Sequence, residues 1–215
     1  MGRHEGATAK IKVLKRSRAE ELKKLLRLRS MDEHAQINPL KTFPPCRIFY
    51  VWSMKFITEA AIRSANAAYE TLQQTDGATR QGDEAAILNH LQNAIGMGAA
   101  LSRYFWPVRP ARRQRGELLR AQFKVTDASP LKSRQLRNEI EHFDEKLDMY
   151  FSRTVAGVII PQYIGPYLEN GGVPGHFFRA YYTDRGVFEV LGNEFNIMPL
   201  VEEIRRIDGL LRNSS

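Results

Sequence analysis

From Ile48 to about Gln74, apolar residues return at helical spacing through Trp52, Phe56, Ala60, Ala65, Tyr69 and Leu72. That pattern predicts one long amphipathic helix. Asp76-Gly77 and Gly82-Asp83 bracket a loop, and a second helix is expected from about Asp83 to Phe105 on Ile87, Leu91, Ile95, Ala99, Leu101 and Phe105. Gly96 and Gly98 lower helix propensity inside it, so they predict a close approach of a neighbouring helix. Trp106-Pro107 and Pro110 stop this helix, and a short one follows from Gly116 to Phe123. A third long helix should start with Ser129 as N-cap and Pro130 at the first helical position, where its missing N–H costs nothing. Leu136, Ile140, Phe143 and Leu147 form its apolar stripe, with Tyr150 and Phe151 on the edges. Three long helices and a short one, joined by short turns, predict an up-down bundle.

The pattern changes after Arg153. Val155 to Ile160 is β-branched and apolar, and Gly165-Pro166, Gly171-Gly172 and Pro174-Gly175 make a loop-rich connector. His176–Tyr182 and Val187–Leu191 read as two strands around the four-residue loop Thr183-Asp184-Arg185-Gly186. Asn196 should cap a last helix through Leu211, with Val201, Ile204, Ile207 and Leu211 facing inward. The expected fold class is therefore mainly α: an up-down helical bundle with a small C-terminal β-hairpin plus helix. The expected organisation is a basic arm over 1–30, flexible or not part of the domain, a helical bundle over 31–156, and a loop, hairpin and helix over 157–215 packed on it.

Composition changes this picture in two places. The chain of 215 residues carries a formal net charge of +8, but ten Lys/Arg against Glu5, Glu20 and Glu21 place seven of those charges in residues 1–30. Basicity therefore speaks for a polyanionic partner of the arm more than of the body. The single cysteine, Cys46, excludes an intrachain disulfide and a cysteine-based zinc site, and fits a reducing, cytoplasmic setting. No apolar run approaches the ~18 residues that would suggest a membrane span.

The third helix carries the candidate chemistry. Asn138, His142 and Glu145 recur at i, i+4 and i+7, away from the apolar stripe, while Arg137 shares its side with Glu141, Asp144 and Asp148. Such a face is also what an ordinary solvated helix looks like when it is stitched by i,i+4 pairs such as Arg137–Glu141. Glu139-x-x-His142 matches half of a di-iron motif, but such sites need a second copy, which the chain lacks.

Arg137-Asn138-x-x-x-His142 resembles the signature of the HEPN superfamily, an Arg followed by four to six residues and a His, commonly with Asn, Asp or His directly after the Arg. The wider run from Leu136 to Asp148 is similar to little-characterised bacterial proteins of that helical type, and the resemblance spans about residues 45–152. It implies a metal-independent endoribonuclease of the toxin or phage-defence kind, with no cofactor, that dimerises to pair two motifs. Attack of a ribose 2′-OH on the adjacent phosphate would leave a 2′,3′-cyclic phosphate and a free 5′-OH. The proton transfers suit histidine, whose ordinary pKa is ~6.5, and the crowded phosphorane suits a forked guanidinium. The resemblance thus makes His142 the acid–base group, Arg137 the phosphate clamp and Asn138 an orienting donor.

Arg109, Arg112, Arg113 and Arg115 form a basic stretch that could hold RNA phosphates beside the motif. Against this stand Glu139, Glu141, Asp144, Glu145 and Asp148, which repel RNA unless cations from elsewhere offset them. A catalytically inactive module of the same type, binding RNA or a protein partner such as an antitoxin, is the alternative.

Overall fold

The computed structural model describes residues 46–74, 83–133, 135, 138, 142–153, 156–168 and 175–213. The basic arm, Asp76-Gly77, Gly82, Leu136, Arg137, Ile140, Val155 and residues 171–174 lie outside them.

Two long helices form as the pattern predicts, α1 (Cys46–Gln74) and α2 (Asp83–Phe105). Ser53 bonds Tyr104 at 2.5 Å, and the Asn93 amide donates to Ser64 at 2.6 Å. Partners that move down one helix as they move up the other make the pair antiparallel. The buried face of α1 is Val51, Met54, Thr58, Ala61, Ala65 and Ala68. That corrects the expected stripe, because Trp52 and Phe56 are 61% and 67% exposed. Small residues, Ala61, Ala65 and Ala68, hold inward positions in the second half of α1, while the large aromatics Trp52 and Phe56 near its start face outward. In α2 the expected positions Ile87, Leu91, Ile95, Leu101 and Phe105 are buried, whereas Ala99 is only half-buried.

The chain then makes a 3₁₀ turn (Pro110–Arg112) and a short helix, α3 (Arg113–Gln122). The third long helix does not form as one piece. Pro130–Lys132 is a 3₁₀ turn followed by extended Ser133, and His142 (φ −116°, ψ 40°) is the non-helical N-cap of α4 (Phe143–Phe151). Ser129 makes no cap; its hydroxyl instead donates to Glu203 Oε1 at 2.8 Å. A tertiary carboxylate thus competes successfully for the side chain that local sequence assigns to the helix.

The C-terminal region corrects the fold class. Among the described residues there are four strands, β1 (Val158–Gly165), β2 (Gly175–Tyr182), β3 (Val187–Val190) and β4 (Asn193–Asn196), in the order β1-β2-β3-β4. β1 runs parallel to β2, and the other neighbours are antiparallel. The molecule is an α+β fold with a mixed sheet, not a helical bundle carrying only a hairpin.

The hairpin β2–β3 is where the alternation placed it. β1 continues beyond Ile160 because it is an edge strand, where Pro161 can sit in a gap between the register pairs Ile160↔Phe177 and Gln162↔Arg179. β4 follows a two-residue turn in which Leu191 (φ 48°) and Gly192 (φ 79°) are both left-handed. Such a turn usually carries Asn-Gly or Asp-Gly, and Leu-Gly hides it.

The last helix, α5 (Met198–Arg212), buries Val201, Ile204, Ile207 and Leu211 as expected, and Asn196 Oδ1 accepts the Met198 N–H at 3.2 Å. Thr58 meets Asp208 and Tyr69 meets Met198, so α5 is antiparallel to α1. Its Ile204, Ile207 and Leu211 share one core with Val51, Met54, Leu101, Phe105, Leu119 and Phe123. Gly98 is the close contact expected of α2, since a Cβ there would lie 3.2 Å from Ile204 Cδ1; Gly96 has nothing within 4 Å and makes no such approach. A second cluster joins Ile87, Leu88, Leu91 and Ile95 to Ile164, Tyr181, Phe188 and Val190 of the sheet, with Leu147 and Tyr150 of α4 packed against it. The helices and sheet therefore share a continuous framework, and α4 is held against the sheet side of it.

Candidate functional site

Asn138 and His142 stay one helical turn apart despite the break, since the His142 N–H donates to the Asn138 carbonyl at 3.1 Å. The same link repeats one turn on, where Lys146 N–H donates to the His142 carbonyl at 3.0 Å. Both Asn138 and His142 are exposed. The His142 side chain is 56% exposed, with Nδ1 4.0 Å from Glu145 Oε2. At such exposure the pair contributes little to stability. Arg137 lies outside the described residues, so the full Arg–Asn–His set cannot be assembled from them. An exposed imidazole beside a carboxylate and a polar amide can take up and release protons at the molecular surface.

The basic stretch sits elsewhere. Arg109, Arg112 and Arg113 are exposed around the 3₁₀ turn and the start of α3. Arg115 is folded back into the structure: its Nη2 donates to the Arg103 carbonyl at 3.0 Å, and its guanidinium stands 5.6 and 5.9 Å from the Tyr50 and Tyr104 ring centres. It ties α3 to α1 and α2 by cation–π contact. Leu119 of α3 belongs to the first core cluster, while Leu147 and Tyr150 of α4 pack on the second. The basic stretch and the motif are thus carried by elements over different cores.

Two features around α4 go beyond the residues that the motif singles out. Tyr150 Oη and His176 Nδ1 are 2.5 Å apart, and His176 Nε2 is 3.0 Å from the Ala156 carbonyl. The carbonyl can only accept, which assigns the proton to Nε2 and makes the Tyr150 hydroxyl the donor to Nδ1. Both ring nitrogens are then engaged, and His176 serves as a brace between α4 and β2. Burial, with Glu189 nearby, pushes the Tyr150 hydroxyl up from its ordinary value and keeps it a neutral donor.

The second feature is a pair of cations. Lys146 follows His142 by four residues on α4, and Arg153 lies just past the end of that helix; both line one small cavity. Asp144 and Asp148 fall on the other side of α4 from Lys146. The i+4 spacing from His142 is the signal that could have exposed Lys146. A larger cavity of about 250 Å³ lies between α2, the Pro130 turn, β4 and α5. Glu194 is its one charged lining residue, and it holds no paired acid and base.

Among the described residues no group of three or more His, Cys, Asp or Glu is placed to hold a metal ion, and no helix is long and apolar enough to cross a membrane. No protein-family model, curated protein or solved structure matches this chain.

Proposed function

We propose that the chain is an HEPN-like, metal-independent endoribonuclease, and that His142 is its acid–base group. The observation that carries this reading is the exposed His142 ring, one turn from Asn138 and one turn from Lys146, at the start of a helix braced on the sheet. Lys146, one turn beyond His142, sets a cation against the acidic residues of α4.

In the proposed reaction the ribose 2′-OH gives up its proton and its oxygen attacks phosphorus. The P–O5′ bond breaks, and the departing 5′ oxygen takes a proton. The products are a 2′,3′-cyclic phosphate and a 5′-OH, and no electron or co-reactant is consumed. One imidazole supplies one of the two proton-transfer groups. The reading therefore includes a homodimer that pairs two motifs, Arg137 as phosphate clamp, and a cytoplasmic site of action where RNA is found.

The test is incubation of the purified full chain with single-stranded and structured RNAs in EDTA, beside His142→Ala. Cleavage with cyclic-phosphate ends that disappears in the variant supports the enzyme. Intact RNA at micromolar protein overturns it.

One observation favours a second reading, an inactive module that binds a protein partner. Phe49, Trp52 and Phe56 expose 73%, 61% and 67% of their surface along one side of α1, and contiguous apolar patches of that kind mark interaction sites.

A further inference from the structure

Beyond His142, α4 ends against a small cavity outside the Arg137–Asn138–His142 motif, at the edge of the second core cluster. It has a volume of about 190 Å³ and is lined by Lys146, Met149, Tyr150, Arg153, Leu191 and Asn193. Among the described residues no acidic side chain is in the lining. We propose that this pocket binds a backbone phosphate of the same RNA strand whose scissile phosphate lies at His142. The proposal rests on reading the His142 face as an RNA site, and adds to it a second contact that fixes the direction of the strand along α4.

Size decides against a larger occupant. Ligand pockets for drug-sized molecules begin at roughly 300 Å³, so this one suits a phosphate with its hydrating water and not a whole nucleoside. Charge decides the sign. Lys146 and Arg153 both line the pocket, whereas Asp144 and Asp148 are on the side of α4 away from Lys146 and Glu145 points toward His142. The Asn193 amide adds a neutral donor from the sheet.

The pocket is also built on fixed parts. The left-handed Leu191–Gly192 turn sets Asn193 in place, with Leu191 itself buried. Tyr150, whose hydroxyl is committed to His176, forms the wall between them. Along the axis, Lys146 is one turn, ~6 Å, beyond His142. A strand touching the imidazole can therefore place a neighbouring phosphate at the pocket mouth.

The experiment uses the full chain carrying His142→Ala, so that RNA is not consumed, and a fluorescein-labelled single-stranded RNA whose anisotropy is followed from low to moderate salt. In that background Lys146→Ala with Arg153→Ala should weaken binding about tenfold. The double variant should also flatten the dependence of log K on log salt by about 0.7, the amount that one lost phosphate contact on a single strand removes. Arg153→Ala alone, at an exposed position, should give about half that change and guards against a folding defect in the double variant. Removing the same charge at Arg63 and Arg205 should leave affinity within about twofold.

Unchanged affinity and slope in the pocket variants, or an equal loss in the Arg63/Arg205 control, overturns the pocket. If wild-type protein cleaves RNA while the pocket variants behave like their parent, the nuclease reading stands and the pocket falls. Pocket-dependent binding without any cleavage by the wild type keeps the pocket and removes the nuclease, and no RNA binding at all removes both.

Discussion

The Thr58 hydroxyl donates to the Asp208 carboxylate at 2.7 Å in the buried seam between α1 and α5. Arg212 Nε donates to the other carboxylate oxygen at 2.7 Å. A charge with 6% exposure is tolerated there because both oxygens are satisfied. Thr58→Val keeps the shape and removes one donor, so it should cost about 1–3 kcal/mol, measured as a shift of the urea midpoint at constant slope. Unaltered stability would mean that water replaces the hydroxyl and that the seam is not closed.

Two carboxylates should give opposite pH dependence. Partial burial pulls the Glu203 carboxyl up, but the Arg206 guanidinium and the Ser129 hydroxyl outweigh it and hold the group below its ordinary value of 4.5. Its contribution is therefore whole above 4.5 and is lost as pH falls through the lowered folded value. Burial raises Glu189, with Glu194 adding to the rise, and the hydrogen bond from Tyr182 only partly opposes it. The folded state then binds that proton more readily than the unfolded chain, so stability falls as pH rises from 4.5 through the raised value. Glu203→Gln should destabilise at pH 7 and match wild type in acid. Glu189→Gln should gain on wild type as pH rises from 4 to 7. Thermal melts across that range check both, and parallel profiles for the two variants would refute the assignment.

The faces of α1 make a third test. Trp52 is 61% exposed and Met54 is fully buried, although they are two residues apart. Trp52→Ala should change folding stability by no more than about 0.5 kcal/mol. Met54→Ala opens a cavity in the first core cluster and should cost about 2–5 kcal/mol. If the order of the two melting temperatures is reversed, the helix is rotated from the position described.

These cases show what the residue pattern carries and what it does not. Period and caps located α2, the β2–β3 hairpin and α5, because in each the apolar positions that recur are the positions that pack. In α1 they are not, since the seam uses Ala61, Ala65 and Ala68, and a stripe chosen by size picks the wrong face. β4 was hidden because its turn uses Leu191 at a left-handed position whose cost is offset by burial, a tertiary effect. Ser129 shows a second tertiary effect, since its hydroxyl bonds Glu203 rather than a helix terminus. For the candidate site, Asn138 and His142 were legible as neighbours. The Tyr150–His176 brace was not, because 26 residues separate its partners and only the sheet brings them together.

The final prediction separates a working His142 from a decorative one. Its ring is more than half exposed and Glu145, its ionic partner among the described residues, is 75% exposed, so His142→Ala opens no cavity and breaks no buried bond among them. Unfolding should shift by no more than about 0.5 kcal/mol. Loss of a general acid–base group, in contrast, lowers a rate by on the order of 10²–10⁴. His142→Ala should therefore melt like wild type while RNA cleavage, or growth inhibition on expression, disappears. Arg137→Lys should remain impaired, because an ammonium cannot reproduce a two-pronged contact with phosphate. Leu101→Ala, at a fully buried position, should do the reverse, losing about 2–5 kcal/mol of stability while the folded fraction keeps its turnover. Should His142→Ala unfold the protein, or should it cut RNA at the wild-type rate, His142 is not the acid–base group and the nuclease reading loses its support.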